Sequence, residues 1–74
     1  MASKDRVLQR LGSNLRKSRE AAGWSQEELA LRCGLHRTYI GGVERGEYNV
    51  TVLTLRRITK TLGITLHDAL DGIG

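Results

Sequence analysis

The chain has 74 residues, a net charge of +4 and a single Cys, so we expect residues 1–74 to form one domain with a small core. One Cys excludes an internal disulfide, and no grouping of Cys and His has the spacing of a metal site, so we expect neither a metal nor a cofactor. No stretch is long and apolar enough to span a membrane, and the N-terminus lacks the apolar centre of a signal peptide. We therefore expect a cytoplasmic protein.

The positive charge is concentrated in the first half of the chain. Residues 1–37 contain eight Lys and Arg against four Asp and Glu, whereas residues 38–74 contain four of each. The last ten residues contain only Asp68 and Asp71 as charged side chains. A polyanion is therefore expected to meet the N-terminal half, which leaves the C-terminal end free for another partner.

The first predicted helix covers residues 5–22 and ends at Gly23. Its apolar stripe has the spacing of one helix face and consists of Leu8, Leu11, Leu15 and Ala22. Arg19 lies on this stripe, where a buried charge without a partner would be costly. We therefore expect Arg19 to pair with a carboxylate, and Glu44 is the candidate.

Residues 25–46 have the pattern of two short helices joined by a tight turn. Ser25 is a favourable N-cap, and Glu28, three residues later, completes a capping-box pattern. The apolar or small residues expected to face inward on the first of these helices and at the turn are Leu29, Ala30, Cys33 and Leu35. Gly34 is expected at the turn with a positive φ, which glycine adopts at little cost.

The second helix of this pair is predicted to begin near His36 and to bury Tyr39 or Ile40 together with Val43. The remaining positions are expected to point outward: Arg37, Thr38, Gly41, Gly42 and Arg45. Any small helical bundle can contain two short helices and a glycine turn. The combined spacing of cap, small residue, glycine and apolar residues favours a helix-turn-helix with an exposed recognition helix.

Two further helices are predicted, which makes the fold class all-α with five helices. Thr51 caps a helix that runs to Leu62, with Val52, Leu55, Ile58 and Leu62 facing inward. A last short helix runs from Thr65 to Leu70. Its surroundings are more apolar than the end of a monomer usually is, so we expect a symmetric homodimer. The residues expected at its interface are Leu53, Ile64, Leu66, Leu70 and Ile73.

The segment LRKSREAAGWSQEELALRCGLHRTYIGGVERG resembles the lambda-repressor-like, or XRE-type, helix-turn-helix regulators. The run HRTYIGGVERG, with Asn49 and the NVT entry to the fourth helix, resembles more narrowly the controller proteins of bacterial restriction-modification systems. The resemblance implies a compact five-helix domain that binds double-stranded DNA at a palindromic operator. It also implies a homodimer, two of which can share an operator, acting as activator and autorepressor.

The resemblance also implies roles for individual residues. Arg37, Thr38 and Gly41 match base-reading positions, whereas Gly42 replaces a glutamine that reads bases in some relatives. Contacts with the DNA backbone are implied for Ser25, Gln26, His36, Tyr39, Arg45, Tyr48, Asn49 and Thr51. They are also expected for Arg16 and Lys17, because these basic residues lie on the flanks of the first helix. For Tyr39, core packing is the equally weighted alternative. Tyr48 is a departure, because controller proteins often have a basic residue there, and its hydroxyl is the natural substitute as a phosphate contact.

The resemblance also implies roles for one ion pair and for two acidic residues. Arg19 and Glu44 match a buried pair that holds the first helix against the recognition helix. Glu27 and Glu28 are candidate contacts for the RNA polymerase sigma factor, although acidic residues there also complement the helix dipole.

Three alternatives to the controller function remain open. An antitoxin or a phage-type repressor would share most of the motif, and a protein-interaction module would use the same fold without sequence-specific DNA binding. An enzyme is not expected, because neither an acid pair nor a phosphate-binding loop is present and the two His are 31 positions apart.

Overall fold

The computed structural model describes residues 5–74, which form five α-helices and contain no strand. The helices are α1 (Arg6–Ala21), α2 (Gln26–Cys33), α3 (Arg37–Glu44), α4 (Val52–Leu62) and α5 (Leu66–Ala69). The predicted all-α architecture and the order of its elements are confirmed. No helix in the described part of the chain is long and apolar enough to cross a membrane.

Each helix begins at a residue whose side chain accepts a hydrogen bond from a first-turn N–H. The capping residues are Asp5, Ser25, His36, Thr51 and Thr65. The caps predicted at Ser25 and Thr51 are confirmed. The capping box predicted at Ser25 is only half formed, because the carboxylate of Glu28 accepts instead from Arg32 Nε at 3.1 Å. A complete box occurs at Thr65, where Asp68 returns the hydrogen bond.

The turn between α2 and α3 is made by Gly34. Its φ is positive, as predicted, with a value of 70°. Gly63 ends α4 in the same left-handed conformation, with a φ of 74°. A residue with a Cβ would be strained at either position, so these glycines fix where the helices end.

One apolar core lies between the helices. Its buried members are Leu11, Leu15, Leu29, Ala30, Cys33, Ile40, Val43, Leu55, Ile58 and Ala69. Two predicted inward positions are wrong: Ala22 is exposed at the C-cap of α1, and Val52 is 70% exposed in the first turn of α4. Thr59 is buried in α4 instead, and its hydroxyl donates to the carbonyl of Arg56 at 3.1 Å, so the buried polar group is satisfied.

The backbones of α1 and α3 approach each other closely at Gly12. A Cβ at Gly12 would lie 2.3 Å from the carbonyl oxygen of Val43 and 2.5 Å from that of Glu44. No larger residue fits at this crossing without moving a helix. The end of α3 is therefore held directly against α1.

The C-terminal segment is also tied to α1. Asn14 Nδ2 donates to the carbonyl oxygens of Ala69 at 2.8 Å and Asp71 at 2.9 Å. Arg10 Nε donates to the carbonyl of Asp71 at 3.1 Å. These bonds hold α5 and the residues after it in one position relative to the rest of the fold.

Candidate nucleic-acid interface

A buried ion pair holds α3 against α1, as predicted. Arg19 Nε donates to Glu44 Oε2 at 2.7 Å, Arg19 Nη2 donates to Glu44 Oε1 at 3.1 Å, and Nη1 donates to the carbonyl of Trp24 at 2.7 Å. The hydrogen bonds and the charge of Glu44 raise the pKa of Arg19. Because Gln26 Nε2 also donates to Glu44 at 3.0 Å, the start of α2 joins the same cluster.

The first turn of α3 is exposed and carries Arg37 and Thr38. Arg37 Nη1 lies 3.9 Å from Glu27 Oε2, and both side chains are more than two-thirds exposed. An exposed ion pair of this length contributes little, so Arg37 can exchange Glu27 for another partner.

His36 is exposed and closes the N-terminus of α3. Its Nδ1 accepts from the backbone N–H of Thr38 at 3.1 Å. This hydrogen bond places the proton of the neutral ring on Nε2, which remains a donor at the end of the helix.

Gly41 and Gly42 were both predicted to point outward, and both are buried. Side chains from outside α3 cover them. A Cβ at Gly41 would lie 3.1 Å from Arg45 Nη1 and 3.3 Å from Gln26 Oε1, and a Cβ at Gly42 would lie 2.1 Å from the ring of Tyr48. Gly41 therefore reaches a base only if the side chains above it move.

Gln26 and Arg45, both predicted as phosphate contacts, have carboxylate partners within the protein. Gln26 donates to Glu44, and Arg45 Nε and Nη2 donate to the carboxylate of Glu47 at 2.6 and 3.1 Å. The same pairing lowers the pKa of Glu47 and raises that of Arg45.

Tyr39 packs against the core, which is one of the two alternatives predicted for it. Tyr39 is half-buried against the core, and desolvation raises the pKa of its hydroxyl. Its ring stacks on that of Tyr48, with centroids 5.3 Å apart and planes 12° from parallel. Tyr48 itself is 41% exposed.

The other predicted backbone contacts lie on the surface: Arg16, Lys17, Ser25, Asn49 and Thr51. Arg16 pairs with Glu20 at 3.3 Å in the same helix. The hydroxyls of Ser25 and Thr51 cap α2 and α4. Both residues therefore lie at helix N-termini, where the first-turn N–H groups favour a phosphate.

The residues predicted for the dimer interface fall into two groups. Leu53 and Leu70 are exposed, at 78% and 41%, whereas Ile64, Leu66 and Ile73 are half-buried against the core. The latter three already pack against this chain's own core. Leu53 and Leu70 are therefore the residues of the predicted interface whose apolar side chains are mainly exposed to solvent.

Sequence reasoning did not find three features of the surface. Leu31 is 76% exposed on α2, although its helix is otherwise well packed. The Arg32 guanidinium lies 4.4 Å from the centroid of the Trp24 ring, which is a cation–π contact between the last turn of α2 and the residue before its N-cap. In addition, α4 carries three basic residues beside Leu53, namely Arg56, Arg57 and Lys60. Counted from Leu53, these residues stand at i+3, i+4 and i+7, on one side of a helix, and this spacing was the available signal.

A short helix exposed at its N-terminal turn, placed across a preceding helix by a glycine turn and fixed by a buried ion pair, defines a helix-turn-helix domain of the DNA-binding type. A helix-turn-helix family model matches residues 15–68. The chain therefore belongs to the helix-turn-helix family.

The control protein C.SmaI from Serratia marcescens is 50% identical over 64 residues, which is 86% of this chain and 76% of that protein. A hypothetical transcription factor from Neisseria meningitidis serogroup B is 42% identical over 60 residues, and the match spans 81% of this chain but only 57% of that protein's length.

Solved structures agree with this assignment. The restriction-modification controller protein C.AhdI from Aeromonas hydrophila superposes with a TM-score of 0.81 at 42% identity, covering 84% of this chain and 94% of that one. Within the helix-turn-helix family, this chain therefore belongs to the controller proteins. The C.Esp1396I controller tetramer, solved with its natural 35 base-pair operator, gives a TM-score of 0.81 at 33% identity, covering 89% and 87% of the two chains.

Proposed function

We propose that this protein is a sequence-specific DNA-binding transcription regulator that acts as a restriction-modification controller on a palindromic operator, as activator and autorepressor. The observation that carries the proposal is the exposed first turn of α3, where Arg37 and Thr38 project from a helix that Arg19 and Glu44 fix in place. A reading helix must be held rigidly, because the hydrogen bonds that distinguish bases depend on its position.

The chemistry of the first turn suits base edges in the major groove. Arg37 presents a planar fork of donors that matches the O6 and N7 acceptors of guanine. Thr38 offers a hydroxyl for a hydrogen bond and a methyl group for contact with thymine. Its own backbone N–H is already bonded to His36, which keeps the first turn of α3 formed before DNA arrives.

Other exposed groups suit contact with phosphates. His36 offers its Nε2 proton next to the positive end of the α3 dipole. Lys17 and Arg16 are exposed on α1, and the caps at Ser25 and Thr51 mark two further helix N-termini. Such contacts would fix the register of the protein on DNA without carrying sequence information.

We propose that two chains associate through their C-terminal ends. A C2 dimer would place the two copies of α3 about 34–36 Å apart, one turn of DNA, and would therefore require a palindromic or nearly palindromic site. The exposure of Leu53 and Leu70 supports this interface, since contact with a second copy would remove both from water. The tetrameric assembly of C.Esp1396I on its operator supports a second level of association on DNA.

Glu27 is the better of the two candidates for contact with RNA polymerase. The carboxylate of Glu28 is occupied by Arg32, whereas Glu27 is 77% exposed and only loosely paired with Arg37. A Glu27→Lys variant should lose activation, measured by a reporter gene at protein concentrations that give the same operator occupancy as the wild type, while Glu28→Lys serves as the matched control on the same turn. Full activation by Glu27→Lys would rule out the contact.

A binding experiment tests the proposed function. Duplexes would be selected from a random library, and affinities for the best selected duplex and for its scrambled version would be measured across a range of salt concentrations. We expect the selected duplex to bind about 10³-fold more tightly or better, and both affinities to fall steeply with salt. Equal affinity for the two duplexes would favour the protein-interaction alternative.

A further inference from the structure

The outward face of α3 is not built by α3 alone. Thr38 and Gly42 are four residues apart and therefore lie on the same side of the helix, away from the buried Ile40 and Val43. Gly42 is nevertheless buried, because the ring of Tyr48 lies on it: a Cβ at Gly42 would be 2.1 Å from Tyr48 Cε2 and 2.7 Å from Cδ2. The side chain of Tyr48, from the loop that follows α3, therefore covers the second turn of the helix.

The ring of Tyr48 is held by contacts on several sides. It stacks on Tyr39, whose ring packs against the core. The loop that carries it is fixed by the hydrogen bond from the N–H of Glu47 to the carbonyl of Gly42, at 2.9 Å, and by the pairing of Glu47 with Arg45. Because 41% of Tyr48 remains exposed, the ring is both positioned and accessible.

We propose that Tyr48 is a specificity-determining residue that reads DNA in place of a side chain at position 42, through contact of its ring with the C5-methyl group of a thymine. This inference rests on the proposed DNA-binding function. Position 42 is one helical turn beyond Thr38, so the ring continues the surface that Arg37 and Thr38 begin. An apolar ring suits the thymine methyl, which is the apolar group that the major groove presents.

The absence of a side chain at Gly42 makes room for the ring of Tyr48. Glycine weakens the interior of a helix relative to alanine, so its presence in α3 is a cost in helix stability that the room for Tyr48 accounts for. The two positions therefore act as one unit, and replacing either should remove the same contact.

A methyl-deletion scan of the DNA tests the contact directly. Each thymine in the duplex selected by the wild-type protein would be replaced in turn by uracil, which lacks only the C5-methyl group. We expect one position in each half-site where wild-type affinity falls about fourfold, as for one methyl-sized group removed from contact. Tyr48→Phe should keep this sensitivity, since it keeps the ring, and Tyr48→Ala should lose it.

A second variant, at Gly42, tests the same contact between the Tyr48 ring and the thymine methyl group. Gly42→Ala leaves no room for the ring and favours the helix, so it should fold and should shift the aromatic NMR signals of Tyr39 and Tyr48 without DNA. It should reproduce the uracil insensitivity of Tyr48→Ala, and the double variant should show no additional change. Val7→Ala, an exposed substitution in the first turn of α1, is the control and should keep the wild-type uracil response.

The outcomes separate the two proposals. A wild-type protein that binds selected and scrambled duplexes equally would overturn the proposed function and this inference with it. A wild-type protein that is selective, with a uracil response that persists in both Tyr48→Ala and Gly42→Ala, would overturn this inference alone.

Discussion

Arg19 of α1 and Glu44 of α3 form the one ion pair among residues 5–74 in which both side chains are buried. Gln26 of α2 donates to the same carboxylate, so three helices meet on Glu44. This cluster lies beneath the end of α3, opposite the turn that carries Arg37. The position of the proposed reading surface therefore depends on the buried carboxylate of Glu44 and its partners.

Arg19→Ala should destabilise the protein severely. The substitution leaves the carboxylate of Glu44 buried with only Gln26 as a donor, and breaking a buried pair in this way costs about 3–5 kcal/mol. Urea unfolding followed by circular dichroism would measure the loss. Arg16→Ala is the matched control on the same helix, because its exposed pair with Glu20 is worth about 0–1 kcal/mol. Similar midpoints for the two variants would contradict the structural role of Arg19.

Gly12→Ala should also be destabilising, although alanine is the better helix former. The added Cβ would meet backbone carbonyl oxygens of Val43 and Glu44, which cannot rotate away as a side chain can. Overpacking of this kind costs about 1–3 kcal/mol, and we expect a net loss of about 2 kcal/mol. Thermal unfolding would measure it. Ser13→Ala, at the next position of α1, should stay within about 0.5 kcal/mol of the wild type, and a stabilised Gly12→Ala would show that α1 and α3 are farther apart.

Much of the fold follows from local signals. Ser25, Thr51, Gly34 and Gly63 act where the sequence places them, because caps and left-handed turns depend on the residue itself and its nearest neighbours. The pairing of Arg19 with Glu44 was also predictable, since a charge on an apolar stripe requires a partner.

The errors have a common physical cause. Periodicity gives the direction of a side chain from its own helix but says nothing about what folds over it. Gly41 and Gly42 point away from the core as predicted, yet Gln26, Arg45 and Tyr48 cover them from other elements. Val52 fails for a related reason: it is in phase with the α4 stripe, but the first turn of α4 extends beyond the core.

Arg37→Ala and Lys17→Ala should weaken DNA binding in different ways. Loss of a bidentate base contact should cost about 1–3 kcal/mol on the selected duplex and relax the preference at one base pair. Loss of a phosphate contact should weaken selected and scrambled duplexes alike and reduce the slope of log K against log salt by about 1. Titrations of both variants at several salt concentrations would distinguish them. An unchanged ratio of specific to scrambled binding in Arg37→Ala would remove its reading role.

Acid should loosen α5 through Asp68. The N–H of Thr65 donates to Asp68 Oδ2 at 3.0 Å, and this bond together with the Thr65 hydroxyl holds the pKa of Asp68 below its ordinary value of 3.8. Because the folded pKa is the lower one, the contribution is complete above the unfolded value. It is lost as the pH falls from about 3.8 through the depressed folded value. Melting temperatures of the wild type and Asp68→Asn should therefore converge on acidification. A gap that stays constant to low pH would contradict this linkage.

Leu70→Glu should prevent dimer formation if the C-terminal ends of two chains meet. Leu70 is 41% exposed after α5, and a charge there would have to be buried without a partner in the interface. Sedimentation equilibrium over a range of concentrations should show a dimer for the wild type and a monomer for the variant, which should also lose affinity for the palindromic duplex. For the oligomeric state, Leu31→Glu is the matched control, since it adds the same charge at a leucine that is 76% exposed on α2 and should leave the dimer intact. If Leu70→Glu remains folded and dimeric, the interface lies elsewhere, and the same measurement on Leu53→Glu would show whether α4 provides it.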